Sequence, residues 1–174
     1  MNTANKLTML RVVLIPVFLA VLYIGFPYSG YVAMGIFIFA SVTDIADGQI
    51  ARKRGLVTDF GKFMDPLADK VLVVAAMLWF VGTGVMPAWA VLLVVAREFA
   101  VTALRLIAAG NGRVIAAGKS GKVKTACTMV CVVELFLGFP TWANWAAVAV
   151  IVATTLYSGI EYFIVNRDIF DWKK

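Results

Sequence analysis

Long, nearly unbroken apolar runs separated by short connections set the pattern of this chain, at residues 10–25, 31–50, 63–81, 87–108, 123–137 and 142–165. None shows the strict two-residue alternation of a barrel strand, which crosses a bilayer in about 10 residues. Backbone groups placed in lipid must be bonded within their own segment, so the pattern predicts an all-α integral membrane fold of six transmembrane helices. A span takes about 20 apolar residues, so runs 10–25 and 123–137 are expected to continue beyond their apolar limits. The connections at 26–30, 82–86 and 138–141 are short and hold Gly or Pro, as helix ends do. No linker, low-complexity tract or internal repeat interrupts the pattern, and residues 1–174 read as one domain.

Composition agrees with lipid as the solvent. Hydrophobic residues make up 62% of the chain and charged residues only 15%, and the mean hydropathy is +0.90. A soluble domain is nearer half apolar and a quarter charged. The basic residues then give an orientation. They fall into four clusters: Lys6 and Arg11; Arg52, Lys53, Arg54, Lys62 and Lys70; Arg97, Arg105, Arg113, Lys119, Lys122 and Lys124; and Arg167, Lys173 and Lys174. These are all 16 Lys and Arg residues, and the three short connections hold none. Cationic segments stay on the cytoplasmic side, so both termini and the two charged connections are expected there. The first run has the basic start of a signal peptide. No small-residue cleavage site follows it, and it is expected to be retained as a span of a cell-membrane protein.

The net charge of +6 would suggest nucleic acid in a soluble protein. Here it is explained by topology and by anionic lipid heads, and no nucleic-acid module is present. Cys127 and Cys131 sit one helical turn apart with no His in the chain. They read as packing residues, because free Cys behaves as a small hydrophobe.

Chemistry enters at two carboxylate pairs. Asp44 and Asp47 are three residues apart at the end of the second run, and Asp65 and Asp69 are four apart at the start of the third. Residues so spaced share a helix face. Asp44 precedes Arg52 by eight residues and Asp69 follows Gly61 by eight. At 1.5 Å rise per residue, each lies roughly 12 Å along its helix from the cytoplasmic edge. Two consecutive antiparallel helices would bring the four carboxylates to a common depth. One Asp at the bilayer centre costs about 2.5–3.5 kcal/mol, and four crowded together also repel. One or two divalent cations compensate them directly, and oxygen ligands suit Mg²⁺ or Mn²⁺. The absence of His argues against zinc. Gly48 and Ala51 serve either close helix packing or close approach of a ligand to the backbone. The competing structural reading is a polar clasp of Asp with Arg and Lys.

The same residues resemble a known family. Asp44, Asp47, Gly48, Ala51, Arg52, Gly61, Asp65 and Asp69 fill the pattern Asp-x2-Asp-Gly-x2-Ala-Arg-x8-Gly-x3-Asp-x3-Asp of the CDP-alcohol phosphotransferases. Type and spacing match throughout, and the resemblance extends over nearly the whole chain. It implies six transmembrane helices around a cytoplasm-facing polar cavity, and commonly a homodimer. It implies that Asp44, Asp47, Asp65 and Asp69 bind two divalent metals, Mg²⁺ or Mn²⁺, which hold the diphosphate of CDP-diacylglycerol. It makes Asp69 the general base as well. Gly48, Ala51, Arg52 and Gly61 would line the CDP-lipid site. The segment Asn5-x2-Thr8-x2-Arg11 looks like the family's interfacial stretch that contacts the nucleotide; the competing reading is an ordinary basic flank.

The remaining polar residues bear on the acceptor alcohol. Arg97 and Arg105 are eight apart in an otherwise apolar run, and Lys122, Lys124 and Thr125 open the fifth. Guanidinium groups suit phosphate, so a phosphate-bearing acceptor is expected. Arg97-Glu98, Ala103-Leu104-Arg105 and Gly121-Lys122-Val123-Lys124-Thr125 resemble those bacterial members that use glycerol 3-phosphate. Members taking phosphatidylglycerol or inositol phosphate are the nearest alternatives. Arg113 and Lys119 are equally well explained by topology, and Glu134 and Glu161 have no assigned role. Two further function classes stay open on the residues alone. A cation transporter would carry carboxylates on toward the far membrane face, which the uncharged connections argue against. A lipid-binding scaffold would have no turnover.

Overall fold

The structure is a computed structural model that describes residues 3–54, 59–113, 115, 116 and 118–169, without the side chains of residues 3–8, 44–54, 59–63, 65 and 66. Among the described residues it is helical throughout: α1 (Thr3–Ile24), α2 (Ser29–Arg54), α3 (Asp59–Gly82), α4 (Ala88–Gly110), α5 (Lys119–Phe136) and α6 (Thr141–Val165), followed by a short 3-10 turn, Arg167–Ile169. Each helix covers one apolar run. At the uncharged connections, helix and run end within two residues of each other. At the charged side the helices go further: α1 begins at Thr3, α2 continues to Arg54, α3 begins at Asp59 and α5 at Lys119. At these ends the helical hydrogen-bond ladder runs past the last apolar residues.

α6 is long and apolar enough to cross a membrane by itself, with 25 residues. At 1.5 Å per residue that is about 37 Å, against a hydrocarbon core of roughly 30 Å. Met9–Ile24 and Ser29–Thr43 are apolar but shorter. α4 has Arg97, Glu98 and Arg105 within its length, so its apolar character is interrupted.

The chain divides into two compact units. The first holds residues 1–80 and 136–138. In it α1 packs on α2 across a sharp reversal. Gly25 at φ 67° ends α1 in the left-handed conformation that glycine adopts without strain. Tyr28 takes φ 70°, and across the turn Ser29 N–H donates to the Phe26 carbonyl at 2.9 Å. The buried residues include aromatic rings, small alanines and Leu22, Leu72 and Met77. Phe18 lies 6.4 Å from Phe37 and 6.1 Å, edge-on, from Phe136, which is 4.7 Å from Phe80. Ala33, Ala40, Ala68 and Ala76 are fully buried as well. For helices in lipid, where hydrophobic exclusion is absent, small residues that let backbones approach are what makes association favourable.

The second unit holds residues 81–135 and 139–174. α4 packs on α6. The buried stripe of α4 runs Ala90, Val94, Val101, Leu104 and Ala108, and that of α6 runs Ala147, Val148, Ile151, Thr155, Ser158, Gly159 and Tyr162. Val101, Leu104 and Tyr162 form a buried cluster with Ile115, Phe163 and Ile169 against it. Between Val94 and Val101 the α4 stripe is filled by a polar pair, Arg97-Glu98.

Candidate functional site

The acidic positions belong to the first unit and follow the register of its buried faces. On α2 the buried residues Ala33, Phe37 and Ala40 recur at spacings of four and three, and positions 44, 47 and 51 continue that stripe. On α3 the stripe Ala68, Leu72 and Ala76 continues backward to position 65. The helical backbone thus carries Asp44 and Asp47 on α2 and Asp65 and Asp69 on α3, as their spacing predicts. Asp69 is half-buried. The side chains of Asn5, Thr8, Asp44, Asp47, Gly48, Ala51, Arg52, Gly61 and Asp65 lie outside the described residues. Among the described residues no group of three or more His, Cys, Asp or Glu side chains assembles. Arg11, expected near the nucleotide, is buried on α1.

The basic positions belong to the second unit, where the side chains are described. Glu98 joins two of them, Arg97 and Lys124. Its Oε1 accepts from Arg97 Nη1 at 3.0 Å and from Lys124 Nζ at 2.7 Å. All three side chains are largely withdrawn from solvent, at 12%, 17% and 7% exposure for Arg97, Glu98 and Lys124. Arg97 Nε is buried with no hydrogen-bond partner. Two glycines make room for this arginine. A methyl group at Gly159 of α6 would sit 3.2 Å from Arg97 Cγ, and one at Gly121 of α5 would sit 3.6 Å from Nη2.

Arg105 is separate from that network. Its Nε donates to the Tyr162 hydroxyl at 2.9 Å, and its guanidinium carbon lies 5.4 Å from the centre of the same ring. Lys122 is exposed. Thr125 donates its hydroxyl to the Gly121 carbonyl at 3.0 Å, a bond back into its own helix. Lys124 also lines a cavity of about 440 Å³ between α5 and α6, together with Lys119, Tyr157 and Glu161. Outside the apolar runs, Arg113 is ion-paired with Asp168, and that hydrogen bond holds the Asp168 carboxyl below its ordinary range.

Of the residues expected to hold an acceptor phosphate, Arg97 and Lys124 are brought together, and Arg105 is placed on Tyr162. The sequence offers Glu98 only as the neighbour of Arg97, and it offers no signal for Tyr162. The bonds that reveal them join residues 26 and 57 positions apart, beyond the reach of any helical period.

Residues 1–157 match the model of the CDP-alcohol phosphatidyltransferase family. The chain is 42% identical, over 95% of both sequences, to the CDP-diacylglycerol–glycerol-3-phosphate 3-phosphatidyltransferase of Bacillus subtilis. It is 38% identical to the Escherichia coli K12 protein of the same name, over 98% of each. A probable phosphatidylglycerophosphate synthase of Mycobacterium tuberculosis H37Rv is 40% identical, over 92% of this chain and 79% of that one. The chain belongs to the CDP-alcohol phosphatidyltransferase family.

Proposed function

We infer that this family member transfers the phosphatidyl group of CDP-diacylglycerol to sn-glycerol 3-phosphate, giving phosphatidylglycerophosphate and CMP. The observation that carries this reading is near-full-length similarity, at 37–42% identity, to proteins named for that reaction. The motif supports it, since its eight residues stand at the family's spacing.

In this reading Asp44, Asp47, Asp65 and Asp69 hold two divalent ions, Mg²⁺ or Mn²⁺. The donor set fits such ions, being four carboxylates in register on consecutive helices, with no softer ligand in the motif. Bound there, the ions would polarise the phosphoryl oxygens and neutralise the CMP leaving group. The chain's own work is positioning and proton transfer. Asp69 takes the proton of an acceptor hydroxyl, which requires hydrogen-bond reach. The freed oxygen bonds to the phosphorus that carries diacylglycerol, and the bond from that phosphorus to CMP breaks. Asn5, Thr8, Arg11, Gly48, Ala51, Arg52 and Gly61 would line the CDP-lipid site. Arg97, Arg105, Lys122, Lys124 and Thr125 would receive the acceptor phosphate. Of these, Arg97 has the strongest support, because it is largely buried and retains an unpartnered donor.

The site belongs to a multi-pass cell-membrane protein with six spans, a cytoplasm-facing polar cavity, cytoplasmic termini and a homodimeric state. Two opposed residue distributions support the orientation. Every Lys and Arg avoids the three short connections. Beside those connections stand the exposed aromatics Tyr23, Tyr28, Tyr31, Trp89, Trp142 and Trp145, as at a membrane interface.

The test is release of CMP by purified protein in lipid nanodiscs given CDP-diacylglycerol, Mg²⁺ and a panel of alcohols, with the lipid product weighed by mass spectrometry. Glycerol 3-phosphate should be the acceptor used. No release with any alcohol would sink the reading. Release with inositol phosphate or phosphatidylglycerol alone would overturn only the acceptor.

A further inference from the structure

We propose that Glu98 is a positioning residue that fixes the two cations of the acceptor-phosphate site, and that Gly159 provides the space in which this arrangement forms. The proposal rests on the function inferred above and deepens it. One carboxylate oxygen accepts from both Arg97 Nη1 and Lys124 Nζ, at 3.0 and 2.7 Å. Two cations on adjoining helices repel, and more strongly where water is scarce. With one carboxylate between them, the trio carries a net charge of +1 and its members are held together.

Held in this way, Arg97 does not spend all its donors on Glu98. A guanidinium has five N–H bonds and no acceptor. Nη1 is used by Glu98, while Nε is buried with no partner. A buried donor without a partner costs about 1–3 kcal/mol, so such donors persist where a ligand completes them. A phosphate monoester dianion suits the place on both counts, by its charge opposite a net +1 and by its oxygens opposite an unfilled guanidinium edge. A neutral alcohol offers neither.

Gly159 enters through shape. A methyl group there would come within 3.2 Å of Arg97 Cγ, tighter than ordinary contact, and the arginine stem would have to shift. The head of Arg97 would then move relative to Lys124 with no change in the charges present. Glu98 and Gly159 thus act on the same geometry by independent routes, one electrostatic and one steric.

The experiment is steady-state CMP release in nanodiscs by wild type, Glu98→Gln, Glu98→Asp and Gly159→Ala, with glycerol 3-phosphate and CDP-diacylglycerol varied separately. Glu98→Gln is expected to raise KM for glycerol 3-phosphate on the order of tenfold, while KM for CDP-diacylglycerol stays put. Glu98→Asp should recover part of that loss, and Gly159→Ala should raise the same KM severalfold. If Glu98→Gln lowers kcat alone, or moves both KM values together, Glu98 is not a positioning residue for the acceptor. Should Glu98→Gln fail to fold, Gly159→Ala decides, and an unchanged acceptor KM overturns the proposal. A wild-type protein inert toward glycerol 3-phosphate would instead overturn the function on which it rests.

Discussion

The acidic ends of α2 and α3 and the basic junction of α4, α5 and α6 solve opposite electrostatic problems by different means. The acidic region is local. Its four aspartates fall within 26 residues of two successive helices, and each pair is set by one turn of helix. The basic region is assembled from afar, with Glu98 reaching Lys124 across 26 positions and Arg105 reaching Tyr162 across 57. In the function proposed above, the four carboxylates take their cations from outside the chain. The basic junction supplies its own counter-ion in Glu98, and in the proposed function its small positive excess receives an anion. We expect the cassette fixed by helical register to tolerate little substitution, and the junction built from tertiary contacts to lose function in steps.

The sharpest break in that comparison would come at Asp69. Asp69→Asn keeps the shape and removes the base, and turnover should fall about 10²–10⁴-fold with membrane insertion unchanged. CMP release on purified protein measures it, and retained activity would strip Asp69 of its role. Chelation should act on the same region. EDTA is expected to abolish CMP release, and Mg²⁺ or Mn²⁺ to restore it; turnover that survives exhaustive chelation would leave the aspartates without ions to hold.

Lys124→Met should have the next largest effect. It removes the charge-assisted hydrogen bond from Lys124 to Glu98, worth about 1.5–3 kcal/mol. We expect a lower Tm in nanodiscs together with a raised KM for glycerol 3-phosphate, and some residual turnover. Complete loss, as at Asp69, would mean that the junction is as indivisible as the cassette.

The contrast also explains what could be read from the chain. Six apolar runs mark all six helices of the described residues, because long uniform apolar runs broken by short Gly- or Pro-containing connections are a pattern that few other structures satisfy. Their ends at Thr3, Arg54, Asp59 and Lys119 fall beyond those runs, since hydropathy marks where apolar side chains stop and not where backbone hydrogen bonding stops. The aspartate motif is legible for the same reason that it is local, its spacing and its helix register being one fact. Arg97 and Arg105 stand out as charges in an apolar run and invite grouping on one face. The structure gives them different partners: Arg97 donates to Glu98 of its own helix, and Arg105 to Tyr162 of α6. No period in the sequence encodes Glu98 as the residue shared with Lys124, or Tyr162 as the seat of Arg105.

Tyr162→Phe isolates the second of those contacts. The ring, and with it the cation–π face at 5.4 Å, is retained, and only the hydroxyl that accepts from Arg105 Nε is lost. The expected cost is about 1 kcal/mol, seen as a modest fall in Tm. A shift in acceptor KM comparable to that of Lys124→Met would place Arg105 within the phosphate site, and an unmoved KM would confine it to the packing of α4 on α6.

The smallest effect belongs to the Arg113–Asp168 pair, which lies outside both regions and is exposed at both ends, 51% and 57%. Its hydrogen bond to Arg113 holds the Asp168 carboxyl below the ordinary aspartate value. A depressed folded-state value means that the pair's contribution is whole above the unfolded-state pKa, about 3.9, and is lost as pH falls through the folded value. Exposed pairs are well screened, so Asp168→Asn should lower Tm only slightly at neutral pH. That difference should vanish toward strongly acid pH, where wild type has lost the charge as well. A gap between the two melting curves that persists or widens in acid would show that Asp168 supports the end of α4 by something other than its charge.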